Sequence, residues 1–346
     1  MIDAWRGIAA LLVVLHHTSD SFKFGGEGVI LFFVISGYCI SASSEASARS
    51  GHGFRNFMFR RFRRIYPPYF FSVLLILAFT FSAVAIGYAK APPWTFANYI
   101  QNFTLTQWFA LVVHPELNPA QNAVNWITPY WSLQYEEQFY LLMGLLCLLP
   151  FISRGWIILC ITACSIPWML FFPHTFRGIF LELWLYFAIG CFIYYRLCRV
   201  TKPHTKHLLD ALLLLTTILS AIGWLTDSRI NAYFGCELMF ISCTFACILI
   251  ALRRYDDPIS RSAFFRPFLW LGTITYSLYL IHVILLCQIK MLANIIIPPG
   301  FTTPNLIAQI AIHIAAASLF WSLCERPFLN KPQKDSSVRL SKNFAL

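Results

Sequence analysis

Apolar stretches long enough to cross a bilayer recur along the whole of this 346-residue sequence, where about 18 apolar residues suffice for one crossing. Ten can be drawn, at roughly 4–19, 28–47, 67–89, 131–151, 155–172, 179–198, 208–226, 234–252, 267–289 and 303–324. Charged residues make up only 12% of the chain and hydrophobic ones 58%, whereas a soluble domain carries about a quarter charged. The expectation is an all-α polytopic membrane bundle of about ten transmembrane helices. No stretch is long enough for a separate soluble domain. Residues 1–327 read as one unit, and 328–346 as a basic, polar, disordered tail.

The net charge of +11 invites a nucleic-acid reading, but its distribution argues for a membrane. Of the 26 Lys and Arg, only Lys23, Lys90, Arg177, Arg229 and Lys290 fall on one side of the drawn spans. The rest sit at the N-terminus, at 49–66, near 154, at 196–207, at 253–266 and at 325–346. That asymmetry places both termini in the cytoplasm. The 11 cysteines lie almost entirely in apolar segments and form no CxxC pair. They lack the neighbours that zinc ligation needs, and read as small packing residues with no metal.

Within the first apolar run, Arg6 and His17 are eleven positions apart. On a helix that is close to three whole turns, so both lie on one face roughly 16 Å apart. A cation and an imidazole on one stripe of a membrane helix are costly and suggest function; the bland alternative is a snorkelling arginine and a wet helix end. No small-residue cleavage site follows this helix, so it does not read as a signal peptide. In the second run, Ser36-Gly37 reads as a close-packing point between helices.

Arg60-Arg61-Phe62-Arg63-Arg64-Ile65-Tyr66 is followed directly by Pro67-Pro68. This reads as an interfacial helix that stops before the next span. Arg61 and Arg64, at i and i+3, point to one target, either a ligand phosphate or anionic lipid. The loop over 90–130 is rich in aromatics and amides (Trp94, Trp108, Trp126, Tyr130), which suits a sugar surface and a membrane-interface belt equally. At the entrance to the fourth run stand Glu136 and Glu137. Helix geometry sets Glu136 on the face of Phe139 and Tyr140, with Glu137 about 100° away, so Glu136 is the inward carboxylate. Glu182, Glu237 and His282 are isolated polar groups in later spans. Glu325-Arg326 closes the tenth.

These residues sort into two depths. Arg6, Arg61, Arg64, Tyr66, Glu325 and Arg326 form a cytoplasmic cluster suited to phosphate. His17, Glu136 and His282 lie toward the outside, where a neutral imidazole beside a carboxylate can take a hydroxyl proton. An anion grip at one end and a base at the other fit a coenzyme A thioester, with its polyphosphate head and slender acyl-bearing arm.

Six motifs then carry a resemblance, in order from residue 3 to 327. They are Arg6-x10-His17, Phe32-Phe33-x-x-Ser36-Gly37-Tyr38, Arg61-x-x-Arg64-Ile65-x-Pro67, Trp131-Ser132-Leu133-x-x-Glu136-x-x-Phe139-Tyr140, Tyr276-Ser277-Leu278-Tyr279-x-x-His282 and Glu325-Arg326-Pro327. Together they resemble the membrane acyltransferase-3 family, bacterial inner-membrane O-acyltransferases of surface glycans. The resemblance implies a ten-helix core, an acyl-CoA donor (usually acetyl-CoA), an essential Arg6–His17 pair, and contributions from Arg61 and Arg64. Trp5 stands where the family usually has leucine. The expectation is the stand-alone form, without a fused esterase domain.

The expected activity is transfer of an acyl group from acyl-CoA to a hydroxyl of an extracytoplasmic glycan or lipid-linked saccharide. His17, Glu136 and Arg6 are the catalytic candidates. Arg61, Arg64 and Tyr66 are expected to hold the donor, and His282 the acceptor. Direct attack and a covalent acyl-histidine relay both fit. The competing reading is a non-enzymatic carrier or flippase for a lipid-linked sugar or anionic solute.

Overall fold

The computed structural model describes residues 1–19, 21–49, 53–113, 126–171, 178–226, 235–297 and 300–329. The expected tail lies, from residue 330 on, outside the described residues, as does the middle of the 90–130 loop. Among the described residues the chain is helical, with no strand. The helices are α1 (Ile2–Thr18), α2 (Gly25–Arg49), α3 (Gly53–Ala85), α4 (Phe96–Thr104), α5 (Trp108–Val113), α6 (Trp131–Leu146) and α7 (Phe151–Phe171). They continue with α8 (Trp184–Cys198), α9 (Pro203–Thr226), α10 (Cys236–Leu252), α11 (Asp256–Arg261), α12 (Arg266–Ile281), α13 (Leu286–Ile296) and α14 (Thr302–Phe320). Six helices are long and apolar enough to cross a membrane. A seventh crossing arises if α12 and α13, bent by 108° at their break, count as one. The first and fourth drawn spans correspond to the shorter helices α1 and α6.

The prolines after the arginine run do not end a helix. Pro67 and Pro68 lie inside the 33-residue α3, where they remove two N–H donors. Neighbouring segments tie to α3 there: Tyr276 donates its hydroxyl to the Ile65 carbonyl at 3.0 Å, and the Arg63 side chain donates to the Phe328 carbonyl at 3.1 Å. Support from packed neighbours is what lets membrane helices carry proline.

The helices fall into two compact units. The first comprises Met1–Gly28, Phe62–Ala78 and Leu252–Leu346. Its centre is α12, buried on nearly every face from Leu271 to Ile281, as expected of a helix apolar all round. α1 lies against it through glycine. A Cβ on Gly272 would stand 2.0 Å from the Asp3 carbonyl oxygen, and one on Gly7 2.6 Å from that of Phe268. Lipid tails are as apolar as leucine, so close backbone approach and polar bonds hold such helices together.

The second unit comprises Val29–Arg61 and Phe79–Ala251. It uses the same device between α2 and α8. A Cβ on Gly37 would come within 2.1 Å of the Phe187 carbonyl oxygen, and one on Gly190 within 2.1 Å of that of Val34. The packing role read for Gly37 is thus realised. Around this crossing Phe33, Phe139, Trp184 and Phe187 form an aromatic core, Phe139 stacking on Phe187 at 4.2 Å. Polar ties complete the unit. Glu45 is buried against Arg49, Arg199 and the Tyr194 hydroxyl, and Arg196 grips Asp210 bidentately at 2.8 and 2.6 Å.

Candidate active site

Each unit carries a cluster of the polar residues that the sequence singles out. In the first unit, α1 and α12 run parallel from their glycine crossing. His17 lies ten residues beyond Gly7, and His282 ten beyond Gly272. At ~1.5 Å per residue, both imidazoles are therefore carried about 15 Å along. They meet there, ring centroids 5.1 Å apart and tilted by 54°. His16 packs edge-on against His17 at 5.1 Å. The α1 helix is unbroken between Arg6 and His17, so the spacing read from the sequence holds along it.

His282 is 1% exposed. Its Nδ1 sits 2.7 Å from the Tyr279 carbonyl oxygen. A carbonyl only accepts, so Nδ1 carries the proton and Nε2 a lone pair. That Nε2 is buried without a partner among the described residues. Buried polar atoms are nearly always satisfied, and an exception calls for an explanation.

Earlier on α12, Ser277 donates to Glu325 at 2.5 Å. Glu325 is 2% exposed, lies in a π-helical turn over Trp321–Glu325, and bears the charges of Arg64 and Arg6. Arg6 also pairs with Asp3 at 3.6 Å. Tyr66 stacks on Phe62 at 4.6 Å. Three members of the expected phosphate cluster, Arg6, Arg64 and Glu325, thus act on one another.

In the second unit, Glu136 turns inward as helix geometry requires. It accepts hydrogen bonds from Ser36 at 2.6 Å and from the Tyr140 hydroxyl. Ser36 is therefore a hydrogen-bond donor to a carboxylate, which corrects its reading as a packing residue. Arg61 lies over the rings of Tyr140 and Phe57, 5.5 Å from each. Ser36, Glu136, Tyr140 and Arg61 form one continuous array. Glu182 accepts from Tyr135 and from the Gly178 amide, so it fastens a turn.

Tyr140, Ser277 and Glu325 matter more to these clusters than the sequence suggests, and His313 escapes it. The signal for His313 is a polar stripe, Asn305, Gln309 and His313, at four-residue spacing in apolar α14. Its Nε2 lies 3.1 Å from the His282 carbonyl.

The chain is 24% identical to the peptidoglycan O-acetyltransferase OatA of Listeria monocytogenes over 378 aligned positions, covering 99% of this chain and 58% of that protein. It is 23% identical to the putative peptidoglycan O-acetyltransferase YrhL of Bacillus subtilis, covering 98% of this chain and 56% of the relative. A 149-residue stretch, 42% of this chain, is 32% identical to the O-acetyltransferase OatA of Staphylococcus aureus, over 24% of that protein. The chain thus spans little more than half the length of the first two relatives. No solved structure matches it. The profile of the acyltransferase domain matches residues 1–324, and the chain belongs to the acyltransferase-3 family.

Proposed function

We propose that this chain is a membrane O-acyltransferase that moves an acetyl group from acetyl-CoA to a hydroxyl of an extracytoplasmic glycan. Peptidoglycan is the first acceptor to test, because the relatives that run the length of this chain carry that activity in their names. The observation that carries the reading is the His17–His282 pair, in a unit whose central helix is largely buried. His17 takes the proton of the acceptor hydroxyl, whose oxygen attacks the thioester carbonyl; the alternative is a covalent acyl-histidine on the same residue. Arg61 and Arg64, one turn apart on α3, bind the donor phosphates, with Tyr66 beside them. Arg6, through Glu325, fixes the first helix. Glu136, held by Ser36 and Tyr140, serves as the catalytic carboxylate. About ten spans of the inner membrane, with both termini cytoplasmic, complete the proposal.

A carrier for a lipid-linked sugar draws on one observation, the 108° break between α12 and α13, since transporters build sites at broken helices. The two readings separate in one assay. Purified protein with labelled acetyl-CoA and the membrane fraction of the source cells should release CoA and label glycan. His17→Ala should lower that rate by ~10²–10⁴, the usual worth of a general base, while the protein stays folded. Full activity in that variant refutes the base role, and no CoA release by the wild type refutes the transferase.

A further inference from the structure

We propose that His282 is a second proton carrier in the transfer reaction, paired with His17, and that His313 is the residue that positions it. The proposal rests on the acyltransferase reading above. Three observations on one unit carry it.

The first is the lone pair. With Nδ1 committed to the Tyr279 carbonyl, His282 presents a basic Nε2 that is buried and without a partner among the described residues. A histidine kept only for packing or as a helix contact would use both nitrogens, because an unmade bond at a buried polar atom costs about 1–3 kcal/mol. A lone pair held this way fits a group that accepts a proton during turnover.

The second is register. Equal ten-residue separations from the Gly7–Gly272 crossing place His282 beside His17.

The third is the helix break. After His282 the amide of Leu286 turns to the Val283 carbonyl at 3.3 Å, so the His282 carbonyl loses its ordinary helical donor. His313 stands in its place, with Nε2 3.1 Å from that carbonyl and Nδ1 2.8 Å from the carbonyl of Gln309; both partners only accept, so the neutral ring donates to one of them and the doubly protonated ring to both. His313 is itself 1% exposed. The peptide that carries the His282 imidazole is therefore held from α14 at the point where α12 gives way.

The chemistry balances. The acceptor oxygen forms a bond to the thioester carbonyl carbon, and the carbon–sulfur bond breaks. The hydroxyl proton passes to the imidazole pair as the oxygen attacks, and leaves on the departing thiolate to give the free thiol. One imidazole must reach both oxygen and sulfur; two in contact can divide the tasks. His17 accepts the hydroxyl proton, and His282, with its free lone pair beside it, takes that proton up and returns it to the sulfur.

The test is kinetic, on the full chain in detergent or nanodiscs, with acetyl-CoA and the membrane fraction of the source cells. His282→Gln should lower kcat by ~10²-fold, within the range of general acid–base catalysis. It should leave the KM for acetyl-CoA within about twofold and change the solvent isotope effect on kcat. A wild-type kcat, or a rise in KM alone, overturns the proposal. His313→Gln retains a donor for the His282 carbonyl and should keep most of the rate. His313→Leu, which has none, should lose roughly tenfold in kcat at constant KM. Equal rates in the two His313 variants overturn the positioning role, and this pair decides the matter if His282→Gln does not fold. Full activity in His17→Ala would instead refute the transferase mechanism itself, whereas an inactive His17→Ala beside a fully active His282→Gln sinks only the relay.

Discussion

Substituting Gly272 by alanine is the sharpest probe of how α1 and α12 hold the imidazole pair. The new Cβ would lie 2.0 Å from the Asp3 carbonyl oxygen and 2.9 Å from the Asp3 Cβ, where real Cβ atoms essentially never come closer than 3.0 Å to a neighbour. The obstacle is backbone, so α1 must yield by about 1 Å or more. Two terms oppose each other in stability. Alanine gains about 1 kcal/mol over glycine in a helix interior, and overpacking costs about 1–3 kcal/mol. The net is a loss of no more than about 2 kcal/mol, so the variant should still fold. Activity is less forgiving, because a displacement of about 1 Å between reacting groups costs roughly 10²-fold in rate. Gly272→Ala is therefore expected to melt within a few degrees of wild type by scanning fluorimetry. Acetyl-CoA turnover should nevertheless drop by one to two orders of magnitude. Gly155→Ala in α7, where nothing lies within 4 Å of the added carbon, serves as control and should match wild type or better it in stability. Full turnover in Gly272→Ala would show that the His17–His282 approach does not depend on this crossing, and the reasoning would fall.

Substitutions at four further residues test the two polar clusters. Ser36→Ala removes one of two donors to Glu136, a bond to a charged group worth about 1.5–3 kcal/mol; a lower melting temperature and reduced turnover are expected, and Ser36→Thr should restore part of both. Glu325→Gln preserves an acceptor for Ser277 but withdraws the charge opposite Arg6 and Arg64. Glu325 is buried under the charges of Arg64 and Arg6, so the melting temperature should fall, and an unchanged one would show that those guanidiniums have other support. Charge reversal at Arg61 and Arg64 should raise the KM for acetyl-CoA in steady-state assays. An unchanged KM would assign them to anionic lipid.

Much of this arrangement is legible in the sequence, and what escapes it does so for definable reasons. Periodicity alone places Arg6 and His17 on one unbroken helix and sets Glu136 on the face of Tyr140, because both follow from 3.6 residues per turn. The reading of a helix stop before Pro67-Pro68 fails because local propensity predicts a break there, whereas α3 runs on, tied by Tyr276 at Ile65 and by Arg63 to Phe328, partners distant in sequence. Ser36 is misread for a related reason. A small residue next to glycine in a membrane helix is usually a contact point, and only the fold reveals a carboxylate 100 positions away.

The His17–His282 pairing shows where the boundary lies. Each histidine stands ten residues after a glycine, and each glycine is a plausible crossing point. If two helices cross in parallel at those glycines, their histidines must come together; the sequence supplies the spacings but not which helices cross. The fold adds that single pairing, and with it the catalytic geometry follows from the helical rise. The same logic makes a last prediction about order of assembly. The glycine crossing lies between residues 7 and 272, far apart in the chain, so the imidazole pair forms only after α12 is synthesised and docked on α1. A fragment ending before α12 should therefore insert into membranes yet show no acetyl-CoA turnover, and supplying residues 252–346 as a separate chain should restore some. Turnover by the fragment alone would mean that the chemistry resides in α1 without its partner.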